Sequence, residues 1–429
     1  MLQFQVVFNM LKVRLDELSS ITTSKILYLR SLNSGMLNRR ILRVKAFQSL
    51  YAYEQCKASN FNLAKDQIRE AFLPDLNSME VQDKAQLKKD AETTIKLFEN
   101  NLNNKSLISA QEVSAKIKSE AIKAINTFHK ANEKDYDFLL KNMITAAERI
   151  PQLYLNAVQL LLEFGNHVKR ESEKKRKIAT DRITDNAGEL NLSKNVILQQ
   201  LSTNSDFETA VIRHDATLED LELEIKEWFR DYIKPSEAYQ AYIKISQPSR
   251  EEDYNILESI LKKIIFKNEA MLNFFLEKDM SWIENKSVVR SLATKLIKNV
   301  YEQEESSSDL LPEIAMNWED DKEFFQNIFN LTIENEEVNR ELIAKKTQNW
   351  DIERIAFTDK IIISMALTEM KFFPSIPVKV TINEYIDVSK TYSTPKSKQF
   401  VNGLLDVLSK EMLESGEIKK SGRGLLDNK

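Results

Sequence analysis

The scarcity of glycine and proline is the feature that most limits what this chain can fold into. Only 7 Gly and 8 Pro occur in 429 residues, and these are the residues that interrupt helices and form tight turns. The rest of the sequence is rich in Leu, Ile, Lys, Glu and Asn, a mixture that helices tolerate well. Because 42% of the residues are apolar, the chain can bury a sizeable core. We therefore predict an all-α globular protein.

The overall charge offers no field that would attract a nucleic acid. The 61 basic residues nearly balance the 65 acidic residues, so any RNA site must be a local one. One cysteine, Cys56, excludes an internal disulfide framework, and the three histidines are too scattered to act as metal ligands on one helix. We predict no metal site, no cofactor and no catalytic residue.

The N-terminal segment carries no membrane or secretion signal. No apolar run approaches the roughly 18 residues that cross a bilayer, and residues 2–11 lack the charged start and the cleavage site of a signal peptide. We expect a cytoplasmic protein without a membrane partner. The composition of residues 31–35, directly before Met36, is typical of a turn. This favours Met36 as the biological start, with an ordered extra helix in residues 1–35 as the alternative.

A helix with two contrasting faces is predicted from Leu37 onwards. Apolar residues between Ile41 and Tyr51 recur at the three-and-four spacing of one buried face. The other side of this helix carries four cations: Arg39, Arg40, Arg43 and Lys45.

A long, highly charged helical region separates this helix from the C-terminal part. We divide the chain into an extension at 1–35, a core at 36–60 and 319–415, a helical insert at 61–318 and a flexible basic tail at 416–429. Within the insert, residues 169–177 are strongly basic. The interleaved Glu171 and Glu173 favour a solvated helix there, with an auxiliary RNA contact as the alternative.

Prolines mark the helix boundaries of the C-terminal part. An apolar helix is predicted over residues 352–370, followed by a break and a second helix from Pro377 to about residue 390. Thr394 is a natural N-cap, and Pro395 suits the first position of a last helix that ends near residue 413. Inside that helix, Gly403 predicts a close approach of two backbones, which offsets its cost of about 1 kcal/mol relative to alanine.

Two windows of the sequence contain basic residues and no acidic ones. The first lies between Glu17 and Glu54, and the second, between Asp387 and Asp406, contains Lys390, Lys396 and Lys398. Phosphate groups attract ammonium and guanidinium groups, and nearby carboxylates would cancel that attraction. In the second window, Lys396, Ser397 and Lys398 also lie at a predicted helix N-terminus, where backbone N–H groups can hold an anion. We therefore predict that this turn holds a phosphate or a base edge of RNA.

Two aromatic residues flank residues 394–399, which we call the lysine-rich turn. Tyr392 and Phe400 could stack on an unpaired base, which is how single-stranded RNA is usually recognised. Packing inside the core is the alternative for Phe400, and a half-buried structural position is the alternative for Tyr392.

Three segments resemble the NusB family of transcription antitermination proteins. The stretch RRILRVKAFQSLY at 39–51 resembles the opening arginine-rich helix of that family. The stretches IPVKVTINEYI at 376–386 and KQFVNGLLD at 398–406 resemble its two signature C-terminal helices. The close resemblance covers residues 36 to about 56 and 350 to about 413, so the long helical insert lies outside it.

The resemblance implies a compact helical fold that binds the boxA element of ribosomal RNA leaders. It also implies two partners, the ribosomal protein NusE and the elongating RNA polymerase complex. The RNA contacts of the family match two sets of residues in this chain: Arg39, Arg40 and Arg43, with Lys45 on the same basic face, and Lys396, Ser397, Lys398 and Phe400. Where many relatives carry an acidic residue in the turn, this chain has Lys396, which implies a changed RNA affinity or preference.

Two other functions remain open at this point. NusB-like domains also occur fused to RNA methyltransferases, but such an enzyme needs a glycine-rich loop after a strand and a catalytic cysteine. Here the glycines are isolated and Cys56 lies in the first helical region. The second alternative is a protein scaffold in which the insert docks a partner. We expect the Arg39→Glu and Arg43→Glu variants to lose RNA binding and remain folded.

Overall fold

The structure is a computed structural model that describes residues 38–75, 77, 81–109, 111–178, 187–218, 221–303, 310–347 and 355–426. The predicted extension at 1–35 and the start at Met36 lie outside these residues. The prediction of an all-α protein is confirmed, since the described residues form helices and turns and no strand. None of the described helices is long and apolar enough to cross a membrane.

The helices are connected mostly by short turns. In chain order they are α1 (Arg39–Ala71), α2 (Lys84–Asn100), α3 (Ser106–Ser109), α4 (Ala115–Glu148), α5 (Ile150–Ile178), α6 (Val196–Ser202), α7 (Ser205–Arg213), α8 (Glu222–Trp228), α9 (Glu237–Tyr242), α10 (Arg250–Ser259), α11 (Glu269–Lys278), α12 (Trp282–Glu302), α13 (Trp318–Glu334), α14 (Glu336–Lys346), α15 (Phe357–Phe372), α16 (Val378–Tyr392) and α17 (Ser397–Glu414). Helical turns with 3-10 geometry occur at Ala187–Lys194 and Gly422–Leu425, and π-helical turns at Phe229–Ile233 and Ile260–Ile265.

The chain forms two compact units. The central unit consists of the described residues of 149–316, and the terminal unit consists of those of 38–148 and 317–429. The terminal unit therefore takes in residues 61–148, which the sequence analysis assigned to the insert. The reason is that α1 continues without a break to Ala71 and packs along α4.

Helix α1 begins where the sequence predicts and organises the terminal unit. The Asn38 side chain accepts a hydrogen bond from the Ile41 backbone N–H at 3.1 Å, which caps the helix. Leu42, Phe47 and Leu50 are buried on one face. That face packs against α13 and α15, so the beginning of α1 is joined to the C-terminal helices.

The proline-marked helices of the C-terminal part lie close to their predicted positions. Helix α15 is apolar and almost wholly buried, and Pro377, in an extended conformation, is the cap of α16 rather than a residue of its first turn. Helix α17 begins at Ser397, not next to Thr394. Here the Ser397 N–H donates to the Thr394 carbonyl at 3.0 Å, so a turn closes before the helix starts.

The described part of the C-terminal tail is packed, which corrects the prediction of a flexible tail. Ile418 is buried, the Lys420 ammonium donates to the Phe373 carbonyl at 3.0 Å, and the Ser421 N–H donates to the Pro374 carbonyl at 3.0 Å. A Cβ atom on Gly424 would come within 2.0 Å of the same Pro374 oxygen. The tail therefore follows the connection between α15 and α16.

The central unit contains the basic run at the end of α5. Arg170 pairs with Glu163 at 3.3 Å, Lys175 with Glu189 at 3.8 Å, and Lys174 with both Glu171 and Glu222. These lysines are largely exposed. The arrangement agrees with the solvated, ion-paired helix that the sequence favoured.

Candidate nucleic-acid interface

Helix α16 lies next to both cationic segments of the terminal unit. An Arg40 guanidinium nitrogen lies 3.1 Å from a carboxylate oxygen of Asp387, in the middle of α16. Two turns further along α1, the Phe47 ring lies 5.2 Å from the ring of Tyr392, the last residue of α16. The lysine-rich turn follows Tyr392 directly. The arginine-rich start of α1 and this turn are therefore neighbours of the same helix.

The three arginines at the start of α1 each meet a carboxylate from a distant part of the sequence. Arg39 Nε lies 3.1 Å from Asp321 of α13. Arg40 forms a two-pronged hydrogen bond with Glu384 of α16, at 2.8 and 2.9 Å. The acid-free window of the sequence is therefore not acid-free in space. Its arginines form ion pairs with carboxylates of the protein itself.

Arg43 lies in the core and not at the surface. Its side chain is 4% exposed and donates two hydrogen bonds to Glu369 of α15, at 2.7 and 2.8 Å. Thr381 and Tyr385 donate to the same carboxylate at 2.8 and 3.2 Å. Burial alone would lower the pKa of Arg43, but the contact with Glu369 outweighs it and the pKa is raised. This is a buried, hydrogen-bonded ion pair that ties α1 to α15 and α16.

Two further predicted contact residues are buried. Lys45 is 2% exposed and Ser397 is 3% exposed. The Ser397 hydroxyl donates to Asp359 at 2.7 Å and shares a hydrogen bond with Thr394 at 2.8 Å, so it fixes the turn onto α15. The prediction that Arg43, Lys45 and Ser397 contact RNA directly is thus at odds with their burial, and the Arg43→Glu test is unsuitable because a second carboxylate would face Glu369.

The exposed cations of this region lie in the turn. Lys396 and Lys398 are exposed, and no ion pair within the described part of the chain includes either of them. They stand at the N-terminal end of α17, whose first turn offers backbone N–H groups and a partial positive charge. Arg39 and Arg40 remain partly exposed beside their carboxylates. The turn therefore carries the cations that are most available to an external anion.

A series of aromatic rings runs beside the turn. Tyr392 and Phe400 are half-buried, and the contact of Tyr392 with Phe47 fits the structural position that was the alternative for this residue. The sequence analysis missed Phe357, which is 40% exposed and lies edge-on to Tyr51 with ring centroids 5.4 Å apart. The signal for Phe357 was its position outside the apolar stripe of α15.

Gly403 does not mark a helix contact, which corrects the sequence analysis. It is exposed on α17, and a Cβ atom placed on it would meet nothing within 4 Å. Asn402 beside it is exposed as well. The outer face of α17, which continues from the lysine-rich turn, is open to solvent at this point. Among the described residues, no cluster of His, Cys, Asp and Glu that could hold a metal ion occurs.

Comparison with known proteins gives a consistent family assignment. The sequence model described as "NusB family" matches residues 287–410, a range that contains α13 to α16 and the lysine-rich turn but not α1. Three curated relatives are named transcription antitermination protein NusB. The protein of Chloroherpeton thalassium is 43% identical over 106 residues, which are 25% of this chain and 50% of the relative. That of Salinibacter ruber is 33% identical over 144 residues, 32% of this chain and 90% of the relative. That of Bacillus cereus is 36% identical over 108 residues, 24% of this chain and 83% of the relative.

The coverage differs among these relatives. This chain spans half the length of the Chloroherpeton protein and most of the length of the other two. No solved structure matches the chain.

Proposed function

The chain belongs to the NusB family of transcription antitermination proteins, and from this premise we propose that it is a non-catalytic, cytoplasmic RNA-binding adaptor. Its ligand is single-stranded RNA of the boxA type from ribosomal RNA operons. It binds this RNA together with the ribosomal protein NusE, on the elongating RNA polymerase complex.

One observation carries this proposal. Lys396 and Lys398 are exposed at the start of α17, without an ion pair in the described part of the chain. Two flexible ammonium groups at a helix N-terminus fit the phosphates of a nucleic acid strand. The half-buried rings of Tyr392 and Phe400 lie within a few residues and supply faces on which a base can stack.

The predicted contact residues take different roles in this proposal. Lys396 and Lys398 bind phosphates, and Phe400 contacts a base. Arg39 and Arg40 add weaker contacts, because each must share its guanidinium with a carboxylate. The buried Arg43, Lys45 and Ser397 support the site from beneath.

A salt titration tests the proposal directly. The affinity for a short boxA-type strand is measured by fluorescence anisotropy at several salt concentrations. About four to six phosphate contacts give a log-log slope near −3 to −4. The Lys396→Gln/Lys398→Gln variant removes two contacts, so the slope should become shallower by about 1.4.

A matched control separates a local contact from net charge. Lys379→Gln/Lys410→Gln removes two exposed lysines of α16 and α17 away from the turn. We expect it to bind like the parent. Equal affinities and slopes for both double variants would contradict the RNA site.

NusE provides the second arm of the test. Adding NusE should tighten RNA binding by the parent and restore little of it to the Lys396→Gln/Lys398→Gln variant. Binding of NusE without any RNA binding would instead support a protein scaffold.

A further inference from the structure

A cluster of three cations occurs in the central unit, where the matched range 287–410 begins; two members precede this range and one, Arg290, lies at its start. It consists of Lys267, after the π-helical turn at Ile260–Ile265, with Lys286 and Arg290 of α12. We call it the α12 cation cluster. Lys286 and Arg290 are four residues apart, so they lie on the same face of α12, one above the other.

Ring stacking places Lys267 next to this face. The Phe266 ring lies 6.0 Å from the ring of Trp282, the first residue of α12, with the two planes 17° apart. Both rings are fully buried, so this contact is a fixed part of the core. Lys267 follows Phe266 in the chain and therefore stands beside the first turns of α12, where Lys286 lies.

The three positive charges of the cluster repel one another. Lys286 is half-buried; burial lowers its pKa, and the charges of Arg290 and Lys267 lower it further. No ion pair among the described residues includes any of the three side chains. The nearby Asp279 is occupied, since its carboxylate accepts from Asn285 Nδ2 at 2.7 Å. Glu284 is two residues from Lys286, and residues at that spacing do not face each other on a helix.

Other lysines in the same region are paired. Lys298, at the far end of α12, lies 3.4 Å from Glu302, and Lys262 lies 2.8 Å from Glu258. Both pairs have the four-residue spacing that stabilises a helix. Lys286 and Arg290 have the same spacing with like charges, which is unfavourable by a similar small amount.

We propose that the α12 cation cluster binds a phosphate group of an RNA backbone, so that the full chain holds RNA through both units. This inference rests on the proposed function for the identity of the ligand. Three neighbouring cations of mixed type suit a phosphate, because arginine offers a planar fork and lysines offer point charges. The site extends the length of RNA that the chain binds and carries no base recognition.

The experiment uses the full chain and a long RNA. The probe is a single strand of about 40 nucleotides, several times the roughly 4–16 nucleotides that one single-strand site covers. The Lys286→Gln/Arg290→Gln variant is compared with Lys295→Gln/Lys298→Gln, which removes two exposed lysines from the same helix. The log-log salt slope should become shallower by about 1.4 in the first variant and should keep the parent value in the second.

Several results would overturn the inference. An unchanged slope in Lys286→Gln/Arg290→Gln, or an equal change in the control, would remove the site. A thermal shift by inorganic phosphate that is lost in this variant, with an unchanged slope on long RNA, would assign the site to a small phosphate compound instead. Melting followed by circular dichroism checks the fold, and we expect no loss of Tm because the substitutions remove like-charge repulsion.

The short boxA-type strand keeps the two proposals apart. The α12 variant should bind it like the parent, since the short strand occupies the turn before α17. If the turn variant binds the short strand normally while the α12 variant loses affinity for the long strand, the proposed function fails and the α12 site stands.

Discussion

The arginines at the start of α1 and the lysines at the start of α17 both lie near α16, yet among the described residues the arginines are paired within the protein and the lysines are not. Arg43 is enclosed with Glu369, and Arg40 is held by Glu384. Lys396 and Lys398 face solvent. In the sequence, both segments look like the same signal, a basic window without acids. The comparison shows that such a window leaves its cations available at the surface only where no other part of the chain supplies the missing carboxylates.

The chemistry of the two side chains explains the division. A guanidinium is planar and presents paired donors that fit a carboxylate, so arginine suits the buried pairs. An ammonium is compact and strongly hydrated, and it remains available at a surface. Four predictions test this division, from the largest expected effect to the smallest.

The first prediction concerns the buried pair. Glu369→Gln leaves the Arg43 guanidinium buried without a charged partner, so the free energy of unfolding should fall by about 3–5 kcal/mol. Urea denaturation followed by circular dichroism measures this value. Glu411→Gln is the control, because it breaks a partly exposed pair with Lys346 and should cost at most about 1 kcal/mol. If both variants lost a similar free energy of unfolding, the buried pair would contribute no more to stability than the exposed pair.

The second prediction contrasts two glycines near the site. Gly424→Ala should lower the free energy of unfolding by about 1–3 kcal/mol, because the new Cβ clashes with the Pro374 carbonyl and the tail must shift. Gly403→Ala should raise it by up to about 1 kcal/mol, because the added methyl group meets nothing on α17. The two changes are measured by the same denaturation. A loss in Gly403→Ala would show that the face beyond the lysine-rich turn is covered.

The third prediction concerns a substitution that frees a paired arginine to bind a phosphate. Glu384→Gln removes the two-pronged partner of Arg40, although Asp387 remains 3.1 Å away. The affinity for a boxA-type strand should rise severalfold, and the salt slope should steepen by about 0.7, one phosphate contact. Asp406→Asn is the control, since it frees Lys410 on the outer side of α17. An unchanged affinity in Glu384→Gln would confine Arg40 to a structural role.

The fourth prediction uses a cation whose nearest partner is a carbonyl oxygen. Burial lowers the pKa of Lys420 from 10.5 to about 8, against the opposing attraction of Glu369. The unfolded chain therefore binds more protons between about pH 8 and 10.5, so the contribution of Lys420 to stability should rise with pH across that window. Urea denaturation at the two ends of the window measures the change. Lys420→Met should remove it, and an equal pH dependence in that variant would assign the effect to other groups.

Parts of the fold were predictable because local chemistry set them. Pro374, Pro377 and Pro395 bound α15, α16 and α17 to within a few residues, since proline cannot continue a hydrogen-bonded helix. The end of α1 was not predictable, because no glycine or proline separates residue 60 from Ala71. The exposed position of the turn lysines followed from charge and local sequence, whereas the burial of Arg43 did not.

The sequence alone determined the all-α class, the helix boundaries beside prolines and the location of the basic segments, because each of these depends on residues near one another in the chain. The tertiary structure decided which cations are enclosed and which face solvent. Asp321, Glu369 and Glu384 lie about 280 to 340 positions from the arginines that they bind. Packing of α13, α15 and α16 against α1 brings these charges into contact. Local sequence patterns compare only residues that are close in the chain, so they cannot show pairs this far apart in sequence.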